Sequence, residues 1–281
     1  MIEVSNLTKR FGRRTVLDNL SMRMEPHVYG LLGQNGSGKT TLIRCLTMIY
    51  PEGEKAVSLD GAQAGTSAAF LKQIGYLPQK FGLYGELSVT DMLKLLGSLK
   101  GLSAHDVAEG IPDVLSLVNL TNRASSKVKS LSGGMIRRLG IAQALLGNPR
   151  ILFFDEPTAG LDPEERLRFK ILIEEIKANR IIVISTHIVE DVDATCDRIL
   201  ILHDGKIQAE GTNKDVRNLA EGKVYDLQLD RIHELEKPYY YYKKYERQGE
   251  VRIRALSPAP QSLRSCQPEI EDGYLCTIKN I

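Results

Sequence analysis

The sequence predicts an α/β protein whose main sheet is mostly parallel. Two compact apolar runs, at residues 151–154 and 181–184, are separated by a helical pattern over residues 163–178 with charges on one side. This strand–helix–strand spacing indicates parallel strands that are buried on both faces. Short alternating segments in residues 2–30 predict a strand-rich start, and alternating segments return in residues 223–281. We therefore expect a large α/β domain followed by a small α+β appendage.

The first half of the chain supports this order of elements. After the strand-rich start, residues 28–32 form a short apolar run that predicts a strand, and residues 39–48 carry a helical pattern. A break follows at residues 51–53. Residues 57–61 then predict a strand and a turn, because an alternating segment meets an Asp-Gly pair.

The second half continues with helices and then strands. From about residue 89 to residue 147 the apolar period is helical, and Met92, Leu93 and Leu99 are expected on one helix face. Residues 199–207 read as a hairpin around an Asp-Gly turn. The tyrosine-rich piece at residues 239–245 is as compatible with a surface strand as with a ligand site.

Composition limits the functions that this chain can have. Its 281 residues allow one large domain or one domain with a small addition, and 42% hydrophobic with 26% charged residues is ordinary for a globular protein. The net charge of +2 is small and the basic residues are dispersed, so no nucleic acid partner is expected. The four cysteines lack Cys-x-x-Cys spacing and are interpreted as reduced cytosolic thiols rather than metal ligands. We expect neither a signal peptide nor a membrane span, since no apolar run approaches roughly 20 residues.

The clearest chemical motif is a phosphate-binding loop. The segment Gly33-Gln34-Asn35-Gly36-Ser37-Gly38-Lys39-Thr40 matches G-x-x-x-x-G-K-[S/T]. Its glycines let successive N–H groups point inward, and the following helix adds the partial positive charge of its N-terminus. Lys39 is expected to reach the β and γ phosphates, Thr40 to bind Mg²⁺ and Thr41 to contact the α phosphate. The alternative is a plain glycine turn, but the loop follows an apolar strand and opens a helix, as phosphate binding requires.

A pair of carboxylates ends the apolar run at residues 151–154. A parallel strand delivers Asp155 and Glu156 to the carboxyl end of the sheet, beside the phosphate loop. Asp155 suits Mg²⁺, usually through a water molecule. Glu156 suits polarising the attacking water, as general base or as water positioner. The competing interpretation is an acidic strand end that caps the next helix.

Three further polar residues are candidates for the same site. His187 follows the strand at residues 181–184 and could touch the γ phosphate and hold the water, although a lone histidine there is more often structural. Gln79 carries a neutral side chain able to bind Mg²⁺ or the water. Asp162 could contact nucleotide or cap the helix that begins at Pro163, and both roles can coexist.

These motifs, together with Leu131-Ser132-Gly133-Gly134-Met135, stand in an order that resembles the nucleotide-binding subunit of an ATP-binding cassette (ABC) transporter. The resemblance covers about residues 1–220. It implies a P-loop NTPase cassette with a mostly parallel sheet, an antiparallel β subdomain and a helical subdomain at about residues 85–147. Residues 221–281 then form the small α+β appendage.

The resemblance also implies a nucleotide-sandwich dimer, either a homodimer or a pair with a related ATPase subunit. Each ATP, with Mg²⁺ held by Thr40, Gln79 and Asp155, would lie between one subunit's phosphate loop and the other subunit's second half-site. That second half-site comprises Ser132, Gly133, Gly134 and Asp162. Phe11 is the expected adenine-stacking aromatic. Integral membrane permease subunits are the implied partners, which places the chain peripherally at the cytoplasmic face of a prokaryotic cell membrane.

The chain departs from the family pattern at two positions, and two further segments resemble parts of family members. Met135 stands where the family most often has Gln, and Gln34 stands where Pro is common. Residues 81–92 resemble the region that meets the membrane subunit, with core packing of the helical subdomain as the alternative. Residues 267–275 resemble the end of a prokaryotic subgroup that serves ABC-2-type exporters.

The implied function is ATP hydrolysis that powers transport, in the export direction, through separate membrane subunits. An alternative is a soluble non-transport ABC ATPase that acts on DNA or ribosomes. Those proteins carry a long coiled-coil insertion or two cassettes in one chain, and this chain has neither. A partner-regulating subunit with little turnover is disfavoured because every catalytic position is filled.

Overall fold

The computed structural model describes residues 1–65 and 68–281. The strands are β1 (Ile2–Phe11), β2 (Arg14–Met24), β3 (Val28–Leu32), β4 (Val57–Leu59), β5 (Ala62–Gln63), β6 (Ile74–Leu77), β7 (Ile151–Asp155), β8 (Ile181–Thr186), β9 (Arg198–His203), β10 (Lys206–Thr212), β11 (Val224–Gln228), β12 (Tyr240–Arg247) and β13 (Glu250–Leu256). The helices are α1 (Lys39–Leu46), α2 (Glu52–Ala56), α3 (Ala68–Lys72), α4 (Val89–Leu99), α5 (Ala104–Leu117), α6 (Gly133–Leu145), α7 (Pro163–Ile176), α8 (Val189–Thr195), α9 (Asn213–Asn218) and α10 (Ile270–Lys279). Short 3₁₀ segments lie at Thr121–Arg123, Val128–Ser130 and Leu229–Glu234.

The chain divides into two compact units. Unit 1 comprises Met1–Asp197 with Leu202–Ile207, and unit 2 comprises Arg198–Ile201 with Gln208–Ile281. The domain boundary that we predict from the sequence, at residue 220, lies inside unit 2 and stays a prediction.

Unit 1 contains the predicted parallel sheet, in which β3, β8, β7 and β6 lie side by side in that order. Every residue of β3, β7 and β8 is buried, as expected for strands that are covered on both faces. Strand β6 is not predicted from the sequence. A glycine interrupts its short apolar run, and a Cβ on Gly75 would lie 2.0 Å from the carbonyl oxygen of Ala144. The close approach of α6 therefore requires Gly75, and this glycine weakens the strand pattern in the sequence.

An antiparallel sheet of β2, β1, β4 and β5 forms the predicted strand-rich start. The register pairs Ile2 with Met24 on one side of β1 and with Leu59 on the other. All three side chains are buried, so the alternation of the sequence becomes one apolar face.

The helical region contains α4, α5 and α6, and each of these helices begins with a serine. Ser88, Ser103 and Ser132 each accept a hydrogen bond from the backbone N–H three residues later. Of the residues expected on one face, Met92 and Leu93 are buried, whereas Leu99 is 75% exposed. By spacing Leu99 lies about 20° from Met92 around the helix, but it is the last residue of α4 and is exposed at the helix end. Gly97 is also buried, and a Cβ there would lie 2.5 Å from Val107, so the close packing against α5 requires a glycine.

Unit 2 is built on the antiparallel sheet β11-β13-β12. The tyrosine-rich piece forms the edge strand β12. Helix α10 packs closely on α9, since a Cβ on Gly273 would lie 1.8 Å from the carbonyl oxygen of Val216. A buried ion pair joins Arg254 of β13 to Asp272 of α10 at 2.5 Å. Across the described residues, no helix combines the length and the apolar character that crossing a membrane demands.

Candidate functional site

The phosphate loop connects the buried strand β3 to helix α1. Gly38 has φ = 110°, a conformation that side chains disfavour, and α1 begins at the next residue. A Cβ on Gly33 would lie 2.5 Å from the carbonyl oxygen of Leu202, so the chain passes too closely there for a side chain. The loop therefore brings backbone N–H groups and a helix N-terminus to one point, as anion binding requires.

Lys39 is the buried cation of this loop. Its Nζ donates hydrogen bonds to the carbonyl oxygens of Gly33 at 2.6 Å and Gln34 at 3.2 Å, and lies 3.5 Å from Glu156 Oε1. Burial lowers the pKa of Lys39, although the nearby Glu156 carboxylate opposes this shift. The ammonium group is thus held at the loop by two carbonyl oxygens and one carboxylate.

Asp155 and Glu156 stand at the carboxyl end of β7, as predicted. Asp155 Oδ1 accepts a hydrogen bond from Ser185 Oγ at 2.6 Å, and Ser185 lies opposite Asp155 on β8. Asp155 Oδ2 is buried and has no hydrogen-bond partner among the described residues. Ser185, which the sequence analysis missed, therefore orients Asp155 and leaves one carboxylate oxygen available.

Glu156 adopts a strained backbone conformation. Its φ is 51°, which is unusual for a residue other than glycine and is found disproportionately at functional sites. The backbone N–H donates to both the Oγ and the carbonyl oxygen of Ser185, each at 3.1 Å. The turn carries the Glu156 side chain toward the phosphate loop, while Asp155 stays in line with the strand.

His187 meets Glu156 directly. Its Nδ1 lies 3.0 Å from Glu156 Oε2 and 3.2 Å from Oε1, and its ring is partly exposed. Lys39, Glu156 and His187 thus form a connected group centred on the glutamate carboxylate. The group places a carboxylate, an imidazole and an ammonium cation side by side at the phosphate loop.

An open cleft of about 420 Å³ lies over the phosphate loop. Eight predicted site residues line it, namely Asn35, Gly36, Gly38, Lys39, Thr40, Thr41, Gln79 and Glu156. Arg14 and Val16 of β2 also line the cleft, and the sequence analysis missed them. Neither belongs to a motif with fixed spacing, so only the fold brings them to the phosphate loop.

Phe11 lies at the end of β1 and is 46% exposed. Its ring packs edge-on against Tyr50 at 5.6 Å, and Lys9 Nζ lies 4.8 Å from the Phe11 ring centre. Phe11 is not among the described residues that line the cleft. The exposed part of its ring is available for stacking, and its role with adenine stays a prediction.

Ser132 and Asp162 both cap helices. The N–H of Met135 donates to Ser132 Oγ at 3.3 Å, and the N–H of Glu165 donates to Asp162 Oδ1 at 2.9 Å. The capping role expected for Asp162 is therefore confirmed. Gly133 and Gly134 open helix α6, so a helix N-terminus lies directly after Ser132. None of these four residues lines the cleft within the part of the chain that the structure describes.

For the segment at residues 81–92 the two expectations are contact with a membrane subunit and core packing of the helical subdomain, and its residues differ in burial. The Phe81 ring packs on α6, since a Cβ on Gly140 would lie 2.4 Å from it. Tyr84, by contrast, is 67% exposed. Phe81 therefore contributes to packing, and Tyr84, five residues after Gln79 in the sequence, presents an exposed aromatic ring.

Comparisons with known proteins agree with these motifs. Residues 17–159 match the family model described as ABC transporter. The linearmycin resistance ATP-binding protein LnrL of Bacillus subtilis (strain 168) is 34% identical over 238 residues, which are 83% of this chain and 76% of LnrL. The Nod factor export ATP-binding protein I of Cupriavidus metallidurans is 34% identical over 230 residues, which are 81% of this chain and 72% of that protein.

Solved structures support the same assignment. An ATP-binding subunit of an ABC transporter has a TM-score of 0.69 and 31% identity, covering 78% of this chain and 92% of that one. A dimeric bacterial ABC transporter cassette has a TM-score of 0.65 and 25% identity, covering 75% and 98%. The chain therefore belongs to the ABC transporter family, as an ATP-binding and ATP-hydrolysing subunit that powers transport through membrane subunits.

Proposed function

We propose that this chain is the ATPase subunit of an exporter and that Glu156 activates the water that attacks the γ phosphate. The observation that supports this proposal is the group of Lys39, Glu156 and His187, joined by contacts of 3.0 to 3.5 Å at the phosphate loop. A carboxylate in this place can accept a proton from water, and the imidazole can keep the carboxylate and the water in position.

Lys39 governs how the site responds to nucleotide. In the structure its ammonium group is shared between loop carbonyls and Glu156. An entering γ phosphate carries more negative charge than Glu156 and attracts Lys39 away from it. The Glu156 carboxylate then loses its ion-pair partner and becomes a better proton acceptor. Nucleotide binding therefore activates the base.

The residues around Asp155 fit a magnesium ion. Mg²⁺ prefers oxygen ligands and retains several waters. The buried Asp155 Oδ2 lacks a hydrogen-bond partner among the described residues. Thr40 and Gln79 line the cleft over the phosphate loop, and Asp155 lies one residue before Glu156, which also lines it. Asp155, Thr40 and Gln79 would hold the ion, which when bound neutralises phosphate charge. Ser185 keeps the Asp155 carboxylate aimed at this place.

The site is complete only with a second subunit in this proposal. Ser132 and the following glycines offer a hydroxyl and free N–H groups at the start of α6, but they lie outside the cleft of their own chain. Two chains facing each other, identical or related, would each place this helix N-terminus on the ATP held by the other.

Mixing two inactive variants tests this arrangement. Lys39→Ala removes the phosphate cation and Ser132→Phe blocks the second half-site, so each variant alone is expected to hydrolyse ATP very slowly. A mixed dimer of the two retains one intact composite site, and the mixture is expected to exceed both parents. A chain that carries both changes, mixed with the unchanged chain, has no intact site in the mixed dimer and is the matched control. A mixture no faster than its parents would contradict the shared site.

Export is supported by the names of the relatives. LnrL is a linearmycin resistance protein, and the relative from Cupriavidus metallidurans is a Nod factor export protein. Neither name points to DNA or ribosomes. The exposed Tyr84, close in sequence to Gln79, suits contact with an integral membrane permease subunit, which would hold this chain at the cytoplasmic face of a prokaryotic membrane. Co-purification of a polytopic membrane protein, and its loss in Tyr84→Ala, tests this part.

Lys39→Ala is expected to weaken ATP binding by about 10- to 100-fold, since a hydrogen bond to a charged group contributes about 1.5–3 kcal/mol. Nucleotide titration by calorimetry measures the effect. Lys94→Ala is the control, because Lys94 lies on α4 in an exposed ion pair with Asp91. The Lys94→Ala chain is expected to bind ATP as the parent does. Equal affinity of the Lys39 and Lys94 variants would refute the assignment of Lys39.

A further inference from the structure

Arg137, in helix α6, reaches across to the backbone of the catalytic segments. Its Nη1 donates to the carbonyl oxygen of Gln79 at 3.1 Å, and its Nε donates to that of Pro157 at 3.0 Å. Its Nη2 donates to the carbonyl oxygens of Asp155, at 3.2 Å, and Glu156. One guanidinium thus binds the backbone at two of the three metal candidates, Gln79 and Asp155, and at the proposed base Glu156.

The surroundings of Arg137 suit this backbone role. The side chain is half-buried, and no carboxylate forms an ion pair with it among the described residues. Its neighbour Arg138 differs, because Arg138 lies 3.5 Å from Glu165. Burial lowers the pKa of Arg137, and the charges of Asp155 and Glu156 oppose that shift. The guanidinium fork is therefore used for four carbonyl oxygens rather than for a charged partner.

The strain at Glu156 explains what this contact does. A left-handed conformation at a residue other than glycine persists only when its surroundings hold it. Ser185 accepts the Glu156 N–H, and Arg137 binds the Glu156 carbonyl oxygen. The two peptide groups that flank the Glu156 side chain are thus fixed from opposite sides, and only one of the two anchors belongs to the sheet.

We propose that Arg137 is a positioning residue that ties helix α6 to the proposed base Glu156 and to Gln79. Helix α6 begins directly after Ser132, which in the proposed dimer contacts the ATP of the other subunit. Docking of that helix N-terminus is transmitted through Arg137 to the base of its own subunit. The inference rests on the proposed role of Glu156, and it adds a path by which one ATP site senses the other.

A conservative replacement tests the proposal. Arg137→Lys keeps the charge but cannot bridge four carbonyl oxygens, and we expect kcat for ATP hydrolysis to fall by about 10- to 100-fold with unchanged nucleotide affinity. Arg180→Lys is the matched control. Arg180 is also half-buried, and it donates to the carbonyl oxygens of Pro149 at 3.1 Å and Ile176 at 2.5 Å, away from the cleft. The control is expected to keep the parental kcat.

A double-variant cycle separates positioning from a general structural effect. If Arg137 acts through Glu156, Arg137→Lys has little further effect on the residual rate of the Glu156→Gln chain in single-turnover measurements. An unchanged kcat in Arg137→Lys, or the same fold-loss in both backgrounds, overturns the inference. Parental hydrolysis by Glu156→Gln alone instead overturns the proposed function, so the two failures are distinguishable.

Discussion

Replacing Glu156 with Gln is expected to lower the rate of ATP hydrolysis by at least about 100-fold, because an amide cannot accept the proton of the attacking water. The change is nearly isosteric, so the backbone bonds to Ser185 and Arg137 remain. It also removes the carboxylate that lies 3.5 Å from Lys39. ATP binding is therefore expected to persist or strengthen, and phosphate-release assays together with nucleotide titration measure the two effects separately.

The same variant should accumulate as an ATP-bound dimer, since closure occurs and reopening by hydrolysis does not. Size-exclusion chromatography with ATP, compared with ADP, checks this. Glu164→Gln is the control, because Glu164 is an exposed residue of α7 paired with Arg168. A Glu156→Gln chain that hydrolyses ATP like the Glu164 variant would remove the glutamate from the mechanism.

The parts of the site that can be predicted from the sequence are those that local chemistry requires. A glycine-rich loop between a buried strand and a helix has few alternatives, and Gly38 and Lys39 lie where the motif predicts. Asp155 and Glu156 are predictable because a parallel strand presents its carboxyl end to that loop. His187 could be placed near them only because its strand neighbours theirs. Its direct contact with Glu156 cannot be predicted from sequence spacing.

The residues that the sequence analysis missed act through contacts between distant segments. Arg14, Ser185 and Arg137 are common residue types in unremarkable local patterns. Arg137 follows the Ser-Gly-Gly segment on a helix whose apolar pattern suggests only packing, yet it binds carbonyl oxygens on two other segments. Leu99 shows the opposite case, since its helical pattern suggested burial but it is exposed at the last position of α4.

The buried ion pair of unit 2 is expected to contribute strongly to stability. Asp272→Ala is expected to lower the free energy of unfolding by about 3–5 kcal/mol, since it leaves the buried Arg254 with only the Gln267 carbonyl oxygen at 2.7 Å and the exposed Glu269 carboxylate at 3.7 Å. Asp272 is fully buried and accepts from Arg254 Nη2 at 2.5 Å, from the Glu269 N–H at 2.6 Å and from the Tyr242 hydroxyl. The pKa of Arg254 is raised, because the bonds and charge of Asp272 outweigh the opposing effect of burial. Because arginine keeps its proton at neutral pH with or without a partner, the guanidinium stays charged when Asp272 is removed.

The same sheet contains a matched control. Asp226 accepts hydrogen bonds from Tyr245 and Arg252, which repeats the tyrosine–aspartate–arginine arrangement, but Arg252 is 25% exposed and Arg254 only 8%. Water can replace Asp226 at Arg252, so Asp226→Ala is expected to cost much less than Asp272→Ala. Urea unfolding followed by tyrosine fluorescence suits the comparison, because the chain has no tryptophan and most of its 11 tyrosines lie in unit 2. Equal losses in the two variants would mean that burial of the arginine does not decide the strength of these pairs.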